Sequence, residues 1–271
     1  MPRRTGSPTA KSVVESHICF DRVVPDEFHP AHAAAFHALL GLAEKENRAA
    51  LPDLDASGPI FVPHAAIVLA KKWDNGHVLT CKFLDGSPTQ RKRVQGKAEI
   101  WEQFANVQLK FVTRGSAEVR ISFSADPGSW SAVGTDALVE RYFPKYQPTM
   151  NYGWLKDDTD DNEYERVVVH EFGHALGLIH EHQSPAETLK WNKPAVYRYF
   201  SGPPNYWSKE DIDFNILQKY SPEGLKFTRF DRDSIMLYQF PAELFSDHKA
   251  TPLNFQLSKK DKDFIRQMYP K

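Results

Sequence analysis

Cysteine is scarce in this sequence: Cys19 and Cys81 are the two among 271 residues. At most one disulfide could form, so a disulfide-stapled scaffold is excluded, and two reduced thiols are the simpler reading. Long apolar runs are missing too. The longest near-continuous one, residues 65–70, is followed by Lys71 and Lys72 and falls far short of the roughly 18 to 20 residues that cross a bilayer. The first residues, MPRRTGSPTAKSVVESHICF, carry early positive charge with no apolar stretch behind it, so no classical secretory signal is read there. A surplus of either charge is also absent, because 34 Lys+Arg stand against 35 Asp+Glu for a formal charge of -1. That leaves no basic field to hold nucleic acid and no acidic excess of the kind that keeps chains disordered. Neither nucleic acid nor a membrane is an expected partner, and a monomer is the expected state.

What is present is an ordinary globular composition, 41% hydrophobic and 25% charged, in a chain long enough for one large domain or two small ones. Residues 51–63, LPDLDASGPIFVP, interrupt the pattern with prolines, a glycine and aspartates and mark a seam. Before it, residues 30–50 place Ala33, Phe36, Leu39, Leu40 and Ala43 at helical spacing. After it, residues 77–84 alternate as a strand does, and residues 91–106 predict a helix with Val94, Ala98, Trp101 and Phe104 near one face. Strands are expected over 107–112, 117–124 and 149–154. This order predicts an α+β domain, a mixed sheet with helices laid on it. Asp160, Asp161 and Asn162 supply N-cap residues for a helix over 163–176, Gly177 is placed to end it, and a final helix over 258–268 opens on Ser258 with Asp261 three residues on.

The helix over 163–176 contains His170-Glu171-Phe172-Gly173-His174, and the run continues to His180-Glu181. Residues four apart share a helix face, so His170 and His174 can offer two imidazoles to one ion, a donor set that suits Zn²⁺. Glu171, one step round, is placed beside the ion as a base for an attacking water rather than as a ligand. His180 would lie far down the axis of a straight helix. Gly177 tolerates positive φ and lets the chain turn back, bringing His180 to the same ion. Three histidines leave a fourth position open, the coordination of a catalytic rather than a structural site. With typical residue frequencies, the five fixed positions of H-E-x-x-H-x-x-G-x-x-H arise by chance with odds below about one in ten thousand. His182 is read as a histidine behind the site or on the surface.

The run HEFGHALGLIHEH resembles the zinc-binding signature of the metzincin peptidases, and His180 followed by Glu181 is most similar to the astacin branch. Further on, Ser234-Ile235-Met236-Leu237-Tyr238 resembles the astacin Met-turn, which implies that Met236 lies beneath the metal and that the Tyr238 hydroxyl can reach it and swing away. The resemblance implies a zincin/metzincin-like α+β fold: a mixed twisted sheet with two long helices in an N-terminal subdomain, an irregular C-terminal subdomain, and an active-site cleft between them. It spans residues 71–271 and leaves residues 1–70 as an N-terminal extension, a prosegment or accessory region. It also implies that Glu181 is buried and linked to the N-terminus of a mature chain starting near residues 66–72. Residues 126–134 sit where the family has its upper-rim edge strand, making Ser129, Trp130, Ser131 and Ala132 candidate substrate-binding residues by strand addition, with a Gly/Ser surface loop as the alternative.

The sequence departs from animal astacins in three respects. It has one cysteine in the catalytic region where they hold two disulfides, Leu237 replaces the usual His of the Met-turn, and Gln183-Ser184-Pro185 follows the signature without their Arg/Asp pattern. Disulfide-poor microbial or fungal members are the nearer likeness.

The activity implied is a zinc-dependent endopeptidase with one catalytic Zn²⁺, hydrolysing peptide bonds of a protein or peptide through a metal-activated water with Glu171 as general base. A catalytically inactive zinc-binding module holding a protein partner in the same cleft is the alternative, and a zinc amidase on a non-protein substrate a third. Within residues 1–70, the Cys19 thiolate is one group that could close the open coordination position, and the Asp21 and Asp26 carboxylates are others, with a packed thiol or a solvated acid as the plainer reading of each. The compartment is left open between cytoplasm and non-classical export.

Overall fold

A computed structural model describes residues 20–22 and 67–271, apart from 126, 127, 204, 221 and 223. The expected helix over 30–50, Cys19 and Asp26 lie outside the described residues. In chain order the strands are β1 (Phe20–Arg22), β2 (Ile67–Val68), β3 (Val78–Phe83), β4 (Gln108–Phe111), β5 (Val119–Ser122), β6 (Trp130–Ala132), β7 (Met150–Asn151) and β8 (Leu225–Lys226). The α-helices are α1 (Pro88–Ala98), α2 (Asp161–Ala175), α3 (Lys193–Ser201), α4 (Lys209–Ile212) and α5 (Lys259–Met268).

Six strands form one mixed sheet in the order β1-β6-β7-β5-β3-β4. Every neighbouring pair is parallel except β6 with β7. The strand expected within 126–134 is therefore real but short, and its outer side is occupied: β1 lies parallel to it with Phe20 opposite Trp130, Asp21 opposite Ser131 and Arg22 opposite Ala132. β2 and β8 make a separate antiparallel pair.

α1 begins three residues before the sequence-based boundary because Ser87 caps it. The Ser87 hydroxyl accepts from Gln90 N at 3.0 Å while Gln90 Oε1 accepts from Ser87 N at 2.7 Å, a capping box with Pro88 at the first helical position. The helix also stops sooner, tightening at Ala98 into a 3-10 turn, Glu99–Gln103. That turn carries Trp101, fully buried, whose indole N–H donates to Val169 O at 3.0 Å and joins α1 to the middle of α2.

Two residues far apart in sequence, Trp73 and Tyr269, meet at the C-terminal end of α2. Trp73 Nε1 donates to Ala175 O at 2.7 Å and the Tyr269 hydroxyl donates to Leu176 O at 2.8 Å. Carbonyls that a helix end would leave orphaned are thus satisfied by two aromatic donors brought in from distant sequence. Nearby, Gly134 has φ 53°, and a β-carbon built there would stand 1.9 Å from Lys71 O. The obstacle is backbone, tied in place by a buried ion pair of Lys71 Nζ with Asp136 Oδ2 at 2.7 Å. Gly134→Ala should destabilise the protein by more than about 2 kcal/mol, since positive-φ strain adds to the clash; its thermal midpoint against wild type measures this.

Beyond the glycine turn after α2 the chain is irregular, as expected. A second apolar cluster there includes Val196, Phe200, Ile212, Ile216, Phe240 and Phe245, and α4 runs on into a π-helical turn, Asp213–Leu217. Among the described residues no helix is long and apolar enough to cross a membrane.

Candidate metal centre

α2 starts at Asp161, two residues before the expected boundary, because the first of the three expected capping residues is the one that caps it. Asp160 is the N-cap, its carboxylate accepting from Asn162 N at 2.8 Å. It ends in a Schellman motif: Gly177 has φ 96°, Gly177 N donates to His174 O at 2.7 Å, and Leu178 N donates to Gly173 O at 3.0 Å. The turn reverses the chain and returns His180 to the helix face that carries His170 and His174. One candidate ligand atom from each of these three histidines lies within 4.8 Å of the others, and all three residues are buried.

The nitrogens that converge are the three Nε2 atoms. His174 Nε2 stands 3.2 Å from His170 Nε2 and 3.0 Å from His180 Nε2. Their opposite nitrogens face acceptors: His170 Nδ1 meets Ile235 O at 2.8 Å, His174 Nδ1 meets Leu178 O at 2.8 Å, and His180 Nδ1 meets Gln183 Oε1 at 3.3 Å. A carbonyl can only accept, so Nδ1 carries the proton and Nε2 presents a lone pair. Burial, reinforced at His170 and His180 by the neighbouring imidazoles, holds the charged forms down, and His174 is lowered to about 4. Three neutral rings therefore aim lone pairs at one another, which is repulsive unless a cation sits among them. Nitrogens about 2.0–2.1 Å from a tetrahedral zinc stand about 3.3 Å apart, so the donor set fits that ion in type and spacing.

Glu171, adjacent in α2, is fully buried. Tyr238 is largely buried, its ring centroid 4.3 Å from that of His180 and 5.8 Å from that of His170, and its hydroxyl 3.5 Å from His180 Nδ1. Met236 packs under the helix. A β-carbon on Gly173 would stand 2.5 Å from Met236 Sδ, so the glycine between the two histidine turns makes room for the sulfur. The turn holding Met236 is clamped by the buried Asp261, which accepts from Ser234 Oγ at 2.8 Å and from Ile235 N at 2.9 Å. Because Ile235 O orients His170, one peptide unit links this clamp to a histidine of the cluster. Glu181 lies on the same side: its N–H donates to Met236 O at 3.0 Å and its Oε1 accepts from Asp231 N at 2.7 Å. Its carboxyl is held well above the usual range, first by burial and then by the charges of Asp261 and Asp231, and Oε2 has no hydrogen-bond partner among the described residues.

Ser129, Trp130, Ser131 and Ala132 are all buried. Ser129 Oγ accepts from Gly153 N at 3.1 Å, and the Trp130 ring stacks on Phe143 with centroids 6.2 Å apart. The backbone of Trp130, Ser131 and Ala132 borders β1 on one side, and Trp130 and Ser131 pair with β7 on the other, while Ser129 lies just before the strand. His182 is 1% exposed, which removes the surface alternative. It stacks behind His180 with centroids 5.3 Å apart and is walled by Trp191 and Phe240. In the sequence Gln183 stands out only as part of a departure from the animal astacins, and Asp261 only as a helix cap; for a role of Gln183 at the site the one available signal is its place three residues after His180.

A family model, that of the matrixin peptidases, matches residues 72–194 of this chain. A solved structure 42% identical in sequence superposes with a TM-score of 0.74, covering 76% of this chain and 98% of its own. The chain belongs to the metzincin zinc peptidases. That structure is of myroilysin, and a crystal structure of myroilysin matches at 40% identity, with a TM-score of 0.58 over 74% of this chain and 87% of that one.

Proposed function

We propose that the chain is an astacin-like zinc endopeptidase in which His170, His174 and His180 hold one catalytic ion and Glu171 is the general base. The observation that carries this reading is the convergence of three neutral Nε2 lone pairs at a helix whose buried Glu171 follows His170 directly in sequence. Zinc, when bound there, supplies the Lewis acidity that polarises the scissile carbonyl and acidifies a water. The Glu171 carboxylate accepts the proton of the attacking water and returns it to the nitrogen of the departing amine. The Tyr238 hydroxyl donates a hydrogen bond to the oxygen on which negative charge develops. Met236 and Gly177 shape the floor and the return turn. The substrate is a protein or peptide lying extended along the backbone of Ser129, Trp130, Ser131 and Ala132. Tyr238→Phe should lower kcat less than Glu171→Gln does and leave zinc content unchanged, because it removes one donor and keeps ligands and base; steady-state kinetics with metal analysis on both variants checks the order.

Residues 1–70 act, in this reading, as a prosegment. Support comes from the parallel pairing of β1 with β6: a bound peptide would need the same unpaired N–H and C=O groups. Glu181 Oε2, buried beside Asp231 without a hydrogen-bond partner among the described residues, is suited to receive the ammonium of a new N-terminus formed near residues 66–72. Trimming the chain to that region should raise kcat/KM on a peptide substrate without changing zinc content. Intact-mass analysis paired with kinetics checks it, and equal kcat/KM before and after trimming would count against the prosegment.

A further inference from the structure

Two of the three converging imidazoles are oriented by the main chain, His170 by Ile235 O and His174 by Leu178 O. The third meets a side chain, Gln183 Oε1, 3.3 Å from His180 Nδ1. Gln183 is 4% exposed and lies beyond the last residue of the histidine signature. Which way its amide faces follows from its other partners. Nε2 donates to Phe214 O at 2.7 Å and reaches Gln218 O at 3.4 Å. Turning the amide over would set its oxygen against both carbonyls and its N–H₂ against a nitrogen that must donate. The Gln183 carbonyl in turn accepts from Tyr220 N at 2.9 Å, so the residue is anchored at both ends to the segment 214–220.

We propose that Gln183 is the positioning residue of the third zinc ligand: its amide oxygen keeps His180 in the Nδ1–H form with Nε2 open to the metal, and its amide nitrogen fastens that orientation to the Phe214–Gln218 backbone. The proposal rests on the reading that His180 holds zinc. Partners of this kind behind a ligating histidine typically govern about 10- to 100-fold in metal affinity. Tyr238, whose hydroxyl is 3.5 Å from the same nitrogen, is at the long limit of a hydrogen bond and stands on the Met-turn, whereas Gln183 ties His180 to a different part of the chain.

Two variants of the full-length protein separate the halves of the amide. Gln183→Met has nearly the same shape and neither accepts nor donates strongly. Gln183→Glu keeps the acceptor toward His180 and loses the donor toward Phe214 and Gln218. Zinc dissociation constants are read by competition with a chromophoric chelator, and thermal midpoints are read on the metal-free proteins. Gln183→Met should weaken zinc by about 10- to 100-fold and Gln183→Glu should recover most of that loss, while both metal-free midpoints fall. The proposal is overturned if Gln183→Met binds zinc as wild type does, or if the two variants weaken zinc equally, which is the signature of a tether alone. His180→Ala keeps this apart from the underlying reading: unchanged zinc affinity in that variant removes the three-histidine site itself. Should neither Gln183 variant fold, nitrogen-15 histidine spectra of the zinc-loaded wild type decide the matter, with a His180 Nδ1 that is metal-bound or unprotonated overturning the assignment.

Discussion

Replacing Glu171 by Gln should lower kcat by about 10²- to 10⁴-fold, the range that a positioned general acid–base contributes, and leave zinc bound at one equivalent. The two side chains have nearly the same shape, and Glu171 is fully buried within α2, so the substitution is accommodated without a cavity. Chemistry is what differs, because an amide oxygen is far too weak a base to take a proton from water. Among the described residues the ligand cluster consists of histidines alone, so zinc affinity should stay within a few-fold of wild type and KM should move little. A variant that still cleaves at near wild-type rate would remove Glu171 from the mechanism. One that loses zinc along with turnover would move it from base to ligand.

The second large effect is expected at His174, the middle member of the cluster, whose Nε2 is within 3.2 Å of His170 Nε2 and 3.0 Å of His180 Nε2. His174→Ala leaves two nitrogens that no longer enclose an ion, so zinc should be lost at ordinary protein concentrations and turnover with it. Stability gives an independent readout. An ion that binds only the folded state adds RT ln(1 + [Zn]/Kd), about 4 kcal/mol at a thousandfold excess over Kd. Wild type should therefore melt several degrees higher with zinc than after chelation, whereas His174→Ala should melt at the same temperature in both conditions. Its metal-free midpoint should also fall modestly, because the Nδ1 donor to Leu178 O disappears from a buried site. A zinc-dependent rise in midpoint that survives in His174→Ala would contradict the three-histidine reading.

Local signals in the sequence carried through to the structure. The N-cap of α2, its Gly177 terminus and the His170, His174 and His180 spacing each depend on residues within about three turns of one another, where helix and turn geometry leaves few choices. The capping box of α5, Ser258 with Asp261, was legible for the same reason. Boundaries moved where a cap was hidden. Ser87 precedes a proline and reads as part of a turn, yet it and Gln90 start α1 three residues early. Long-range pairing was illegible. Nothing local in Phe20-Asp21-Arg22 says that it adds to the outer side of β6, 110 residues away in sequence by the register Phe20 to Trp130. Nor does a lone Gln183 or Asp261 announce its role, since each acts through a contact made only after the chain has folded: Gln183 with Phe214 O, Asp261 with Ile235 N. The histidines could be read as a motif, while the groups that orient them could be read only in three dimensions.

The most direct test of the account is mass-spectrometric mapping of casein fragments released by the trimmed, zinc-loaded protein, with a parallel sample stripped by a chelator and then given zinc back. Cleavage at internal peptide bonds that stops on stripping and returns with zinc is the predicted result. Cleavage that continues without the metal, or a zinc-loaded trimmed protein that releases no fragments from casein or a broad peptide library, would contradict it.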